Sequence, residues 1–234
     1  MVYIKLSSRS LTSIAAVSSG VVILMGWLAL FLREFFSIKG TSFFNLMSES
    51  NLPTWFSSVL LLVAALLLSL CGVEQRRRKE PGGIYWFGMS AVFFAMSLDE
   101  AAMIHERINT MLLMVNADDL GSLATFPWVL PGLAVVLIFG AVFFRFYLTL
   151  PRRTKILFAL AGTVYLGGGL FLEVVEGWVF SNPAHRGGIL QSVIGALQES
   201  MEIAGIVIFI HALLKYLVVN SPQRTYTLET KIEK

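Results

Sequence analysis

Long apolar stretches separated by short polar connections dominate the chain. A helix needs about 20 apolar residues to cross the roughly 30 Å hydrocarbon core of a bilayer. The six segments of that length run from about Leu11 to Leu32, Pro53 to Gly72, Ile84 to Met103, Pro127 to Tyr147, Ile156 to Trp178 and Ile189 to Leu217. Lipid offers no hydrogen-bond partner to backbone groups, so helices are expected, and the alternating segments of membrane β-barrels are absent from the sequence. The pattern predicts an all-α bundle of six transmembrane helices.

Composition agrees with a membrane protein. Of the 234 residues, 56% are hydrophobic and only 14% are charged, which is too little charge to cover the surface of a soluble domain. We predict one transmembrane domain over residues 1–219 and a flexible polar cytoplasmic tail over residues 220–234. Because Cys71 is the only cysteine, an intramolecular disulfide and a zinc site built from cysteines are excluded.

The basic residues predict an orientation. The net charge of +3 does not indicate nucleic-acid binding, because the basic residues flank apolar segments as topology signals do. Of the 18 Lys and Arg residues, 14 fall on one set of connections and termini and 4 on the other set. Positive charge stays inside, so both termini should be cytoplasmic. We therefore expect a multi-pass protein of a plasma membrane or bacterial inner membrane, with membrane lipids as partners and no nucleic acid.

Acidic side chains supply the candidate chemistry. They lie near the outer ends of the third, fifth and sixth segments, where they include Asp99, Glu100, Glu106, Glu173, Glu176, Glu199 and Glu202, with His105 beside the first group. Spacings of seven or three residues put acids of each helix on one face. The fifth segment runs outward and the sixth inward, so their acids meet at one level. Glu100 lies about 100° around the helix from Asp99 and is left outside the predicted site.

These acids predict a cation or proton site. A carboxylate within a span costs about 2.5–3.5 kcal/mol on insertion scales, and such residues usually mark function. The nearby basic candidates His105, Arg107, His185 and Arg186 cannot pair with all seven acids. We predict a divalent metal ion held by Asp99, His105, Glu106, Glu173, Glu176, Glu199 and Glu202. The oxygen-rich set does not distinguish Fe, Mn, Mg, Ca or Zn, and protonated acids are the alternative.

Two neighbouring features bear on the site. Glycines on the fifth and sixth segments predict close helix packing, with a substrate groove as the alternative; they are Gly162, Gly167, Gly168, Gly169, Gly195 and Gly205. The stretch from Asn109 to Phe126 either covers the site as a lid or extends the third helix beyond the membrane.

Three functions follow from this pattern. The first is a metal-dependent membrane enzyme, a hydrolase or oxidoreductase, acting on a lipid-like or other amphiphilic substrate, with Asp99 or Glu202 as the catalytic proton acceptor. The second is a proton- or cation-coupled transporter or channel. The third is a non-catalytic subunit of a membrane complex. The apolar inner half of the helices favours a one-sided site, and therefore the enzyme.

Overall fold

The computed structural model describes residues 7–116, 129–180 and 188–220. All regular structure in these ranges is helical, which confirms the all-α prediction for them. The helices are α1 (Ser8–Phe36), α2 (Leu52–Arg77), α3 (Gly83–Ala102), α4 (Ile104–Asn116), α5 (Val129–Thr149), α6 (Arg152–Leu166), α7 (Glu173–Phe180) and α8 (Ile189–Asn220). A 3₁₀ turn covers Thr41–Phe44, and a π-helical turn, Gly167–Leu172, joins α6 to α7.

Local sequence explains where several helices begin and end. Ser7 caps α1 by accepting a 3.0 Å hydrogen bond from the Ser10 N–H. Asn51 caps α2 in the same way through the Thr54 N–H at 3.2 Å, with Pro53 in the first turn. Gly82 has a φ of 94°, a left-handed conformation that glycine adopts without strain where the α2–α3 connection turns.

The helices are long enough to form the predicted bundle. Five of the described segments could cross a membrane by length and composition, and the bent pair of α3 and α4 could supply a sixth. Helices α1, α2 and α8 extend beyond their predicted apolar segments, to Phe36, Arg77 and Asn220, whereas α3 ends at Ala102, one residue before the predicted end. The type of membrane and the cytoplasmic placement of the termini stay predictions.

Helix α8 lies at the centre of the described bundle. It packs against α1, α2, α6, α7 and the π-helical turn, while α2 and α3 form a tight hairpin beside it. Leu61, Leu68, Ile203 and Leu213 are almost fully buried in the resulting core. Helix α5 instead leaves most of its apolar side chains exposed, as a lipid-facing helix does.

The two ends of the bundle differ in charge. We call the end that carries Glu34, Glu49, Glu100 and Glu199 the acidic end. The opposite end, with residues 76–79 and 152–155, is called the basic end. Asn220, the first residue of the predicted tail, is the last residue of α8, and residues 221–234 lie outside the described ranges.

Candidate functional site

A sharp bend separates α3 from α4 at the acidic end. Met103 takes a left-handed conformation, with φ 53° and ψ 47°, and the axes of the two helices differ by 71°. Of the two alternatives for the stretch from Asn109 to Phe126, an extension of the third helix therefore does not hold for residues 109–116, which belong to the separate helix α4. Whether residues 117–126 form a lid lies outside the described ranges.

Asp99 holds this bend through His105. One carboxylate oxygen accepts the His105 backbone N–H at 2.7 Å, and the other lies 3.1 Å from His105 Nδ1. A carboxylate at the start of a helix satisfies a free N–H and interacts favourably with the helix dipole. Glu106 adds a longer contact, 3.9 Å from His105 Nε2. Three of the predicted site residues therefore meet, and Asp99 anchors the imidazole.

Glu202 lies on the side of α8 that faces the π-helical turn, and Glu199 precedes it by three residues on the same helix. Both are half-buried, and neither makes a hydrogen bond or ion pair with the residues that the structure describes. They interact electrostatically with Glu100 and Glu173, and both also act on Tyr165. Acids of α3, α7 and α8 therefore interact electrostatically, while the predicted cluster of carboxylates around one ion stays a prediction.

The glycines of the π-helical turn make room for Glu202. A Cβ atom added to Gly169 would lie 3.0 Å from Glu202 Oε1, and one added to Gly168 would lie 2.7 Å from the Gln198 carbonyl oxygen. Gly205 approaches Tyr165 as closely, so the predicted packing role is confirmed at these positions. The predicted packing role is wrong for Gly162, because a Cβ atom added there would have no neighbour within 4 Å. Gly195 packs on Met47 and not on the fifth predicted segment. Wide π-helical turns are frequently found at functional sites.

Glu173 and Glu176 are both buried on α7 but have different surroundings. Glu173 acts electrostatically on Glu199 and Glu202. Glu176 accepts a 3.1 Å hydrogen bond from Gln191 Nε2 at the start of α8. The hydrogen bond gives Glu176 a structural partner, whereas Glu173 belongs with the acids of α8.

Two further acids join this region and were missed from the sequence. Glu100 turns away from Asp99, as expected, but this places it within electrostatic reach of Glu199 and Glu202. Glu49 lies in the α1–α2 connection, and its Oε2 is buried with no hydrogen-bond partner among the described residues. Burial raises the pKa of the Glu49 carboxyl, and nearby His105 partly opposes the rise. Helical spacing could have indicated Glu100, but no sequence signal indicated Glu49.

The acids do not form a ready metal centre. In residues 7–116, 129–180 and 188–220, no three Asp, Glu, His or Cys side chains lie close enough together to hold one ion. Metal binding by the predicted residues therefore stays a prediction. His185 and Arg186, two of the basic residues considered as partners for the acids, lie outside these ranges.

Aromatic packing closes the bundle beyond the acids. Phe93 on α3 and Phe209 on α8 stack with ring centroids 4.6 Å apart, and Phe158 on α6 lies at the same distance from Phe209. Trp86 continues this layer toward the basic end. These rings therefore form an aromatic layer between the acids and the basic end.

The chain belongs to the family described as a domain of unknown function, DUF8692, whose family model matches residues 11–217. The match covers all the described helices except the ends of α1 and α8. No curated protein and no solved structure matches the chain.

Proposed function

We propose that this membrane protein is a divalent-cation-dependent enzyme that acts on an amphiphilic substrate entering at the acidic end. The observation that carries the proposal is the pair Glu199 and Glu202, two half-buried carboxylates with no hydrogen bond or ion pair among the described residues. An ionised carboxylate without a partner costs free energy within a membrane-spanning segment, and a bound cation is the simplest way to neutralise such a pair.

The cation would be bound jointly by protein and substrate. Mg²⁺ and similar hard cations are commonly held by one or two carboxylates, with water and substrate oxygens completing the shell. That mode of binding fits side chains that do not form a three-ligand group before substrate arrives. Glu199 and Glu202, three residues apart on one face of α8, are the proposed ligands, with Glu100 and Glu173 adding negative charge.

His105 and Asp99 are suited to proton transfer. A carboxylate that contacts one ring nitrogen of a histidine fixes the orientation of the ring and stabilises its protonated form, which can donate a proton. Asp99 makes this contact at 3.1 Å, so it is a positioning residue for His105 in this proposal. Glu202 is the alternative proton acceptor when it does not hold the cation. The cation would polarise a substrate oxygen or activate a water molecule.

Binding of Mn²⁺ to the detergent-purified protein tests the cation site. Titration followed by electron paramagnetic resonance should show saturable binding to the wild type. Binding should weaken by about tenfold or more in Glu202→Gln, because a carboxylate ligand is lost. Glu80→Gln is the matched control, since Glu80 lies at the basic end in an ion pair with Arg78. Folded wild-type protein that binds no Mn²⁺, or equal binding in Glu202→Gln, would overturn the proposed site.

Catalysis needs a separate readout. Liposomes of mixed phospholipids containing the wild type should lose or gain a lipid species, measured by mass spectrometry, only when Mn²⁺ or Mg²⁺ is present. The change should be absent with Glu202→Gln and slowed with His105→Gln. An unchanged lipid profile with a protein that still binds the cation would reject the lipid substrate while retaining the site.

A cation- or proton-coupled transporter is the second candidate. The bend at Met103 and the π-helical turn both interrupt membrane-crossing segments beside the acids, and broken helices often form transport sites. The aromatic layer around Phe209 opposes a continuous path in this conformation. Proton or cation flux in proteoliposomes that disappears in Asp99→Asn or Glu202→Gln would favour transport over the enzyme.

A further inference from the structure

A polar pocket of about 400 Å³ lies where α1 gives way to the α1–α2 connection. This volume is within the range of about 300–1,000 Å³ usual for small-molecule sites. Its polar lining consists of Arg33, Ser37, Lys39, Thr41, Ser42 and Asn45. No acidic side chain lines it, so its two cationic side chains give it the opposite charge to the neighbouring carboxylates.

The end of α1 shapes this pocket. Ser37 adopts a left-handed conformation, and its N–H bonds to the Arg33 carbonyl at 3.1 Å, while the Ile38 N–H bonds to the Leu32 carbonyl at 3.3 Å. These bonds satisfy helix-terminal carbonyls that would otherwise repel an anion. Gly40, with a φ of 92°, then turns the chain into the 3₁₀ turn. Hydroxyl and cationic groups are therefore gathered around one concave surface.

Donor groups in the pocket remain available. Arg33 uses Nε and Nη2 to bind Glu34 at 3.1 and 2.8 Å, and Nη2 also donates to Ser192 Oγ at 2.9 Å. Its Nη1 has no partner among the described residues. Lys39 likewise makes no ion pair within the described part of the chain. The first contacts hold the guanidinium in place while leaving one edge free, which is the arrangement an anion site needs.

Apolar side chains flank the cationic pocket. Phe35, Phe36 and Phe43 are 63%, 63% and 57% exposed, so aromatic rings lie beside the charged groups. This combination suits the interface between lipid headgroups and acyl chains. We propose that the pocket binds a phosphate group, carried by a lipid headgroup or by a free phosphate, through Lys39 and Arg33. No carboxylate of the proposed cation site takes part, so the two proposals stand independently.

Native mass spectrometry of the detergent-purified full chain tests the lipid source. Phosphatidylglycerol should bind more tightly than phosphatidylcholine, whose choline cation offsets the phosphate. Lys39→Gln should weaken phosphatidylglycerol binding by about fivefold, the effect expected for one basic residue at a membrane surface. Arg107→Gln is the control, because it removes one exposed positive charge at the same end outside the pocket.

Isothermal titration with inorganic phosphate tests the free source under the same conditions. Weakening in Lys39→Gln but not in Arg107→Gln, in either experiment, would support the pocket and identify its ligand. Equal binding by the wild type and Lys39→Gln in both experiments would overturn it. So would equal losses in Lys39→Gln and Arg107→Gln, since they would indicate general attraction by surface charge. The Glu202→Gln variant, which tests the cation site, should retain phosphate binding.

Discussion

Gln75 and Trp86 at the basic end differ from the carboxylates Glu49, Glu199 and Glu202 at the acidic end in how their polar groups are hydrogen-bonded. At the basic end, Gln75 accepts a hydrogen bond from the Trp86 indole N–H and donates one to the Pro81 carbonyl. At the acidic end, Glu199 and Glu202 have no such partner within the described ranges, and neither does Glu49 Oε2. Satisfied polar groups fix a fold, whereas unsatisfied ones are expected where a ligand completes them. The comparison predicts that Gln75 and Trp86 contribute mainly to stability, whereas the acids of the acidic end are where we propose that a ligand binds.

Removing Trp86 should have the largest effect on stability. Its side chain is fully buried and lies 4.8 and 5.1 Å, between ring centroids, from Tyr216 and Phe146. Trp86→Ala should reduce the free energy of unfolding by about 3–5 kcal/mol, measured by thermal unfolding in detergent. The control is Trp55→Ala at the acidic end, where Trp55 is 62% exposed and should matter little.

A milder change keeps this test usable if Trp86→Ala fails to fold. Trp86→Phe removes the hydrogen bond to Gln75 and part of the ring, so it should cost less than the alanine variant. It should leave Mn²⁺ binding at the acidic end unchanged. If it weakened Mn²⁺ binding as much as Glu202→Gln, the separation of roles between the two ends would be wrong.

Substitutions at the glycines of the π-helical turn, which joins α6 to α7, should have the next largest effect on stability. A Cβ on Gly168 would come 2.7 Å from the Gln198 carbonyl oxygen, which belongs to a backbone that cannot move freely. Gly168→Ala should therefore destabilise the protein by about 1–3 kcal/mol. Gly162→Ala on the preceding helix meets no atom within 4 Å and should be neutral or stabilising by up to about 1 kcal/mol. Equal melting temperatures for the two variants would contradict this packing.

The sequence predicted the helices better than the site. The apolar stretches were long enough to fix the segments, so Ile189–Leu217 was found within α8 and Pro53–Gly72 within α2. Local breaks were harder to predict. Met103 carries no glycine or proline signal, and its left-handed conformation depends on how Asp99 caps the next helix. The run of glycines at residues 167–169 indicated packing but not a π-helical turn.

The candidate site was harder to predict than the helices, because helical spacing describes one helix at a time. It grouped Glu199 with Glu202 on one face of α8, and the structure adds an electrostatic interaction of both with Glu173. It could not show which face of α3 meets α8, so Glu100 was set aside while Asp99 was given the catalytic role. Glu49 lies in a connection without periodicity, and only the tertiary fold brings it near His105.

Asp99 should contribute modestly to stability through the bend between α3 and α4. Asp99→Ala removes the acceptor for the His105 N–H and should cost about 1 kcal/mol. Asp99→Asn should cost less, because its amide oxygen can still accept that N–H. Glu106→Gln is the control, since Glu106 reaches the imidazole only at 3.9 Å. Thermal unfolding would compare the three, and a larger loss in Glu106→Gln than in Asp99→Ala would contradict the capping role.

Glu49 should produce the smallest effect, visible as a dependence of stability on pH. Burial raises the pKa of its carboxyl above the usual 4.5, so the folded state holds this proton more tightly than the unfolded state does. The contribution of Glu49 to the free energy of unfolding should therefore fall as pH rises from 4.5 through the raised pKa. Glu49→Gln removes this pH-dependent loss of stability, because glutamine does not ionise. Its melting temperature relative to the wild type should increase between about pH 4 and about pH 8.

Glu80→Gln at the basic end is the comparison for this profile, because it removes one carboxylate that pairs with Arg78 at 3.2 Å. If the difference in melting temperature between Glu49→Gln and the wild type stayed constant with pH, Glu49 would be solvated in the folded protein. If added Mn²⁺ abolished the higher melting temperature of Glu49→Gln relative to the wild type at high pH, the bound cation would be stabilising the ionised carboxylate of Glu49. The acidic end would then depend on its ligand for stability, in contrast to Gln75 and Trp86 at the basic end, which are hydrogen-bonded within the chain itself.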